Sequence, residues 1–177
     1  MKLKMKLNIT GVVSLFLIFF SLSAVSQNRE VNESLNDFHE LKISNGLEVQ
    51  VVPSEENSIE ITGHSKHEVK FSVVDNRLEI KLSLDNLWSK DDTKITVYGK
   101  NIQTIDAHQG SLVEVSGQLQ GEELTFKAQG GANIRAAVNA SKIASKAVTG
   151  GKIYLEGKSE KQDVDLNTGG NFFGRDL

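Results

Sequence analysis

Cysteine is absent from the 177 residues. That excludes disulfides, thiolate metal sites and a cysteine nucleophile, so stability has to come from packing and backbone hydrogen bonds. An excess of basic charge is also missing. Three of the 20 Lys and Arg residues fall in the first 26 positions, leaving 17 against 23 acidic residues. This negative balance speaks against nucleic acid, which needs a basic patch, and equally against an anionic membrane surface. Long helical periodicity is lacking, and so is any apolar run of membrane-spanning length. No nucleophile elbow, Walker-type phosphate loop or Rossmann fingerprint occurs. The glycine pairs described below are followed by neither a phosphate-binding lysine nor a helix start.

The first segment reads as a signal peptide, residues 1–26. Lys2, Lys4 and Lys6 form a positive region, Gly11 to Leu22 an apolar core, and Ala24-Val25-Ser26 a small-residue cleavage site before Gln27. Export to the periplasm or cell surface is therefore expected. Residues 27–37 are polar and unpatterned, which predicts a flexible leader. Residues 38–177 then make one domain dominated by period-2 alternation. Leu41 and Ile43 alternate with polar residues, and Leu47, Val49 and Val51 follow the turn signal Asn45-Gly46. Pro53 closes that strand. Ile59 and Ile61, then Val69, Phe71 and Val73, predict two more strands, and Asp75-Asn76 a tight turn into Leu78, Ile80 and Leu82. Residues 85–93 read as a loop. These features predict a hairpin-rich first part.

From Ile102 the pattern becomes a repeat. Gln109-Gly110-Ser111, Gly130-Gly131, Gly150-Gly151 and Gly169-Gly170 recur every nineteen or twenty residues, each flanked by short alternating stretches. A unit of that length cannot bury an apolar face alone, so the period predicts stacked coils. Glycine at Gly110, Gly130, Gly131, Gly150, Gly151, Gly169 and Gly170 would turn the same corner in each coil. Leu124 and Phe126 are expected to correspond to Ile143 and Ser145, and these to Val164 and Leu166. A helical reading of residues 127–146 is opposed by Gly130-Gly131 and Asn133.

The stretch from "FHELKISNGLEVQVV" through "VVDNRLEIKL" and "ITVYGKNIQTIDAHQGS" to the glycine pairs resembles the putative auto-transporter adhesin head domain, or head GIN domain, an exported bacterial family. The resemblance covers about Phe38 to Leu177. It implies an all-β, right-handed parallel β-helix-like solenoid and an adhesin-like role, and supplies no catalytic residues. The family usually shows Gly-Ser-Gly-like turns, whereas this chain has Gln109-Gly110-Ser111 and glycine pairs. It also usually continues for further coils, whereas Leu177 falls seven residues after Gly170. An unfinished coil leaves an unpaired edge, so self-association through the open solenoid end is expected.

Candidate chemistry is sparse. His64 and His67 are the only close histidine pair, but positions three apart in a strand face opposite ways, and a polar loop is the simpler reading. No metal site or cofactor is expected. Asp163 and Asp165 share one face of a predicted strand about 7 Å apart, a separation of interest for glycoside hydrolysis. The simpler reading places Val164 and Leu166 inward and leaves the acids solvated. Asp91-Asp92 is discounted in the same way. Trp88, Tyr98 and Tyr154 are the candidate ligand-binding aromatics, since exposed rings stack on sugars and anchor interfaces. Tyr154 lies between Ile153 and Leu155 and points opposite to them. These features favour a noncatalytic binding or structural module of the cell envelope, with a glycan or a surface protein as partner. The alternative is a polysaccharide-active enzyme on a β-helix scaffold.

Overall fold

The computed structural model describes residues 30–64, 66–83, 93–175 and 177. The predicted signal peptide and most of the 85–93 loop lie outside them. Among the described residues the protein is all-β, with twelve strands in one curled sheet and no helix. The strands are β1 (Val31–Ser34), β2 (Glu40–Ile43), β3 (Glu48–Pro53), β4 (Ser58–Thr62), β5 (Val69–Val74), β6 (Arg77–Leu82), β7 (Lys94–Gly99), β8 (Thr104–His108), β9 (Leu112–Gln129), β10 (Asn133–Val148), β11 (Lys152–Asn167) and β12 (Asn171–Phe173).

Pairing is mostly parallel and connects residues far apart in sequence. In β10 and β11 every paired residue meets the one nineteen places on, from Asn133↔Lys152 to Val148↔Asn167. Between β9 and β10 the same offset holds from Gln118↔Ala137 onward. Before that point it is twenty-one, as in Val113↔Ile134, because Val115-Ser116-Gly117 of β9 bulge opposite Ala136 alone.

The register makes two ladders that run through the whole molecule. One stacks Leu78, Leu41, Ile105, Phe126, Ser145 and Val164. The other stacks Val31, Ile61, Ile95, Val49, Val113, Ile134, Ile153 and Phe172. These columns are the core, since their members from Leu78 to Ser145 and from Ile61 to Ile153 are all buried. Fully burying one such Ile or Leu contributes about 1.5–3 kcal/mol, and the two columns hold seven of them, Leu78, Leu41, Ile105, Ile61, Ile95, Ile134 and Ile153.

Several sequence expectations need correction. The first part is not built of hairpins. Asn45-Gly46 has the two positive φ angles of a hairpin turn, 67° and 71°, yet β2 and β3 do not pair; β2 joins β6 and β8, and β3 joins β7 and β9. The turn is a corner between the two ladders. Asp75-Asn76, with φ 51° and 59°, does close a hairpin, between β5 and β6. The polar leader contains β1, which pairs antiparallel with β4 through its backbone, so its lack of side-chain pattern hid it. The expected correspondence at the last repeat is displaced by one inward position. Ile143 pairs with Gln162, while Ser145 meets Val164 and Ala147 meets Leu166.

The corners stack in a column. Gly110 N–H donates to the Gly130 carbonyl, Gly131 N–H to Thr149 and Gly150 N–H to Thr168. The positive-φ pairs are Gln109-Gly110, Gly130-Gly131, Thr149-Gly150 and Thr168-Gly169, so in the last two repeats the turn sits one residue before the glycine pair. Gly151 and Gly170 are there for a different reason. A Cβ on Gly151 would fall on the carbonyl oxygen of Ala128 beneath it, and one on Gly170 on that of Ala147.

The corner predicts opposite responses to single substitutions. Thr149 is β-branched at φ 50°, a conformation costing an L-residue about 1–2 kcal/mol. Glycine gives back about 0.5–1 kcal/mol in chain entropy. Thr149→Gly is therefore expected to raise stability by up to about 1 kcal/mol, while Gly151→Ala costs about 1–3 kcal/mol through the clash with the lower strand. Urea unfolding of the two variants checks both signs.

Candidate binding surface

The two ladders present different outer faces. On the first, the outward residues form a charged column, Glu79, Lys42, Asp106, Lys127, Lys146 and Asp165. Lys42 Nζ lies 3.2 Å from Glu79 and Lys146 Nζ 2.7 Å from Asp165. Beside them Arg77 pairs with Glu40 at 3.0 Å and Lys142 with Glu123 at 2.7 Å. Opposite charges on neighbouring strands keep this face solvated and paired, with little contributed by each exposed bridge.

The second ladder carries an amphipathic column, Glu60, Thr96, Gln50, Glu114, Arg135, Tyr154 and Phe173. The Tyr154 and Phe173 rings stack with centroids 4.5 Å apart and planes 6° from parallel. The Arg135 guanidinium lies 4.9 Å over the other face of Tyr154, within cation–π range, and its Nε is 3.9 Å from Glu114. Next to this column lies a groove of about 780 Å³, lined on one side by the β9 bulge residues Val115, Ser116 and Gly117. Gln50 Nε2 braces the bulge by donating to Ser116 Oγ at 2.7 Å.

The predicted ligand-binding aromatics are not gathered into one site. Trp88 lies outside the described residues, as do Asp91 and Asp92. Tyr98 is half-buried on β7, with its hydroxyl 3.5 Å from Glu60. Tyr154 is on β11, four strands away in the sheet, roughly 19 Å at ordinary strand spacing. It is on the outer face, since Ile153 and Leu155 are buried. Asp163 and Asp165 are exposed on the charged face, and Asp165 is held by Lys146. His67 contributes its carbonyl to Lys70, and no cluster of three or more His, Asp or Glu suited to a metal ion occurs among the described residues. Arg135, Glu114 and Phe173 were missed, because aligning the repeat on its glycine pairs sets Arg135 opposite Leu155, whereas the true register, nineteen residues on, sets it opposite Tyr154. Val164, 38 % exposed, and Leu166, 48 % exposed, sit on the part of β11 that only β10 borders.

This all-β architecture is found in known proteins. The chain belongs to the family described as "Putative auto-transporter adhesin, head GIN domain", which matches residues 37–177. Among curated proteins none matches. The fold is similar to a crystal structure of a putative adhesin from Bacteroides fragilis, with TM-score 0.56 and 12 % identity over 82 % of this chain and 95 % of that one. A putative adhesin from Parabacteroides distasonis gives TM-score 0.58 and 18 % identity over 77 % and 68 %. A putative lipid binding protein from the same organism gives TM-score 0.58 and 12 % identity over 77 % and 58 %. No helix among the described residues is long and apolar enough to cross a membrane.

The charged face makes an acid-stability prediction. The hydrogen bond from Lys42 holds the Glu79 carboxyl below its usual range, against a smaller opposing effect of burial. The resulting stability is fully present above the unfolded glutamate value, about 4.3, and is lost as pH falls through the lowered folded value. Glu79→Gln should therefore be less stable than the parent near neutrality, with the gap closing as pH drops below about 4. Urea midpoints measured across that range check it.

Proposed function

We propose that the protein is an exported, noncatalytic binding module of the bacterial cell envelope, adhesin-like, acting in the periplasm or at the cell surface. We further propose that β9, β10 and β11 are successive coils of a right-handed parallel β-solenoid with about twenty residues per coil. The nineteen-residue pairing offset and the stacked corners support that architecture. The observation that carries the functional reading is the contrast between the two outer faces. One holds most of its charges in close ion pairs between strands, and the other presents exposed Arg135 and Phe173 on either side of half-buried Tyr154, beside a groove. Regular repeat surfaces of this kind suit extended partners such as a glycan or a surface protein. Family membership supports export and adhesion.

The alternative, a polysaccharide-active enzyme, would draw on Asp163 and Asp165. Their place on the lysine-rich face, with Asp165 already bound to Lys146, counts against it. Incubation of the purified chain with a polysaccharide panel is expected to release no new reducing ends. Turnover that disappears in Asp163→Asn or Asp165→Asn would replace the present reading with the enzymatic one.

Self-association is a second role, favoured by Val164 and Leu166 on an open strand edge. Unpaired backbone groups there are a template for another strand. In antiparallel contact between two copies centred on Gln162, Lys161 of each faces Asp163 of the other. Sedimentation equilibrium should detect a dimer that Leu166→Lys weakens; a monomer at every concentration contradicts this role.

A further inference from the structure

The groove beside the aromatic column has a composition that narrows its ligand. Its lining includes Glu114, Arg135, Tyr154, Glu156, Phe173 and Arg175. Two guanidinium groups and two carboxylates cancel, so the groove selects neither cations nor anions. Each of these groups is planar and forked, offering paired donors or paired acceptors. Vicinal hydroxyls of a sugar ring present the matching pairs. Tyr154 has both faces covered, by Arg135 and by Phe173, which fixes its ring and leaves its edge toward solvent. Phe173 has one face on Tyr154 and is 48 % exposed, so its other face is a flat apolar platform of the kind that packs against the C–H face of a pyranose. A lipid chain would need an enclosed apolar cavity, and here charged side chains line an open cleft. An added peptide strand would need a free backbone edge, and along the groove Asn133–Arg135 of β10 and Lys152–Tyr154 of β11 are paired on both sides, which leaves the three-residue outer edge of β12 at one end.

Direction follows from register. Glu114, Arg135, Tyr154 and Phe173 come from four successive strands, so like positions recur every ~4.8 Å along the groove. That step is close to the length of one sugar unit in an extended chain. A linear polymer lying across the strands therefore meets the polar forks of Glu114 and Arg135, the edge of Tyr154 and, at the end of the column, Phe173.

We infer that this groove binds a linear, uncharged glycan chain, with the free face of Phe173, backed by Tyr154, as the ring platform and Arg135, Glu114 and Glu156 as hydroxyl partners. The inference rests on the noncatalytic binding reading above and names its ligand class and site.

Affinity electrophoresis of the full chain tests it, in native gels cast with soluble mixed-linkage β-glucan, glucomannan, xylan or polygalacturonate. Retardation is expected in at least one of the three neutral polymers, at high salt as well as low. Phe173→Ala and Tyr154→Ala should each weaken it roughly tenfold. Lys127→Ala, on the charged face, should leave it unchanged. Phe173→Leu keeps an apolar side chain without the flat ring and should also lose retardation, with thermal unfolding showing that each variant is folded. Migration unaffected by every neutral polymer overturns the inference, as does retardation by polygalacturonate alone that salt abolishes. Wild-type retardation in folded Phe173→Ala and Tyr154→Ala places glycan binding elsewhere and sinks only the site. Depolymerisation of the gel polymer would sink the noncatalytic reading as well.

Discussion

Parallel pairing at a fixed offset of nineteen residues is the constraint from which the other features descend. Once Asn133 pairs with Lys152, every later residue of β10 has its partner assigned up to Val148↔Asn167. Side chains on neighbouring parallel strands then stack like on like. One register thus produces an inner column, Val113, Ile134, Ile153 and Phe172, and an outer one displaced by a single residue, Glu114, Arg135, Tyr154 and Phe173. A slip by one position would exchange the two, bringing Arg135 into the core and Ile134 into water. Core and candidate surface are therefore secured by the same hydrogen bonds.

The constraint is rigid in register but tolerant in content. Along one inner column Phe126 lies next to Ser145, so a large ring sits beside a small side chain and the column stays filled without identical residues in each course. The tolerance has a cost, since Ser145 Oγ is buried with no hydrogen-bond partner among the described residues. At the corners tolerance is narrower. Ala132 is followed a course later by Gly151 and then Gly170, and at both glycines the carbonyl of the course beneath leaves no room for a methyl group. Threonine at positions 149 and 168 accepts a positive φ to keep the turn. The β9 bulge at Val115-Ser116-Gly117 changes the offset to twenty-one without breaking either ladder, and its residues form one wall of the groove.

How much of this was legible in the sequence depends on whether the signal was local. Period-2 alternation revealed most of the strands, and the recurring glycines gave the spacing, because both are properties of short segments. Parallel partners have no such signature. Asn45-Gly46 carries the residues of a hairpin turn and adopts its dihedral angles, yet it joins strands that lie in different ladders. Nothing within Glu40–Pro53 distinguishes the two outcomes; the difference lies in β6, β7, β8 and β9. Val31–Ser34 reads as a leader because β1 is an edge strand with a single inward apolar residue, Val31, and three exposed polar ones. The surface was half legible. Tyr154 was placed outward from its buried neighbours, but Arg135 and Phe173 became visible as its companions only when the offset of nineteen was applied to the outer row. Family membership accounts for the architecture and leaves the ligand to the side chains of that row.

The most direct test of the account is a methyl-selective NMR measurement of contacts within the inner column. Nineteen-residue stacking places the Ile134 and Ile153 methyl groups side by side, with Val113 on the far side of Ile134. Nuclear Overhauser cross-peaks linking Ile134 to both Val113 and Ile153 are the predicted result. Their absence, with Ile134 instead in contact only with residues nearby in sequence such as Ile143, would contradict parallel stacking and everything built on it.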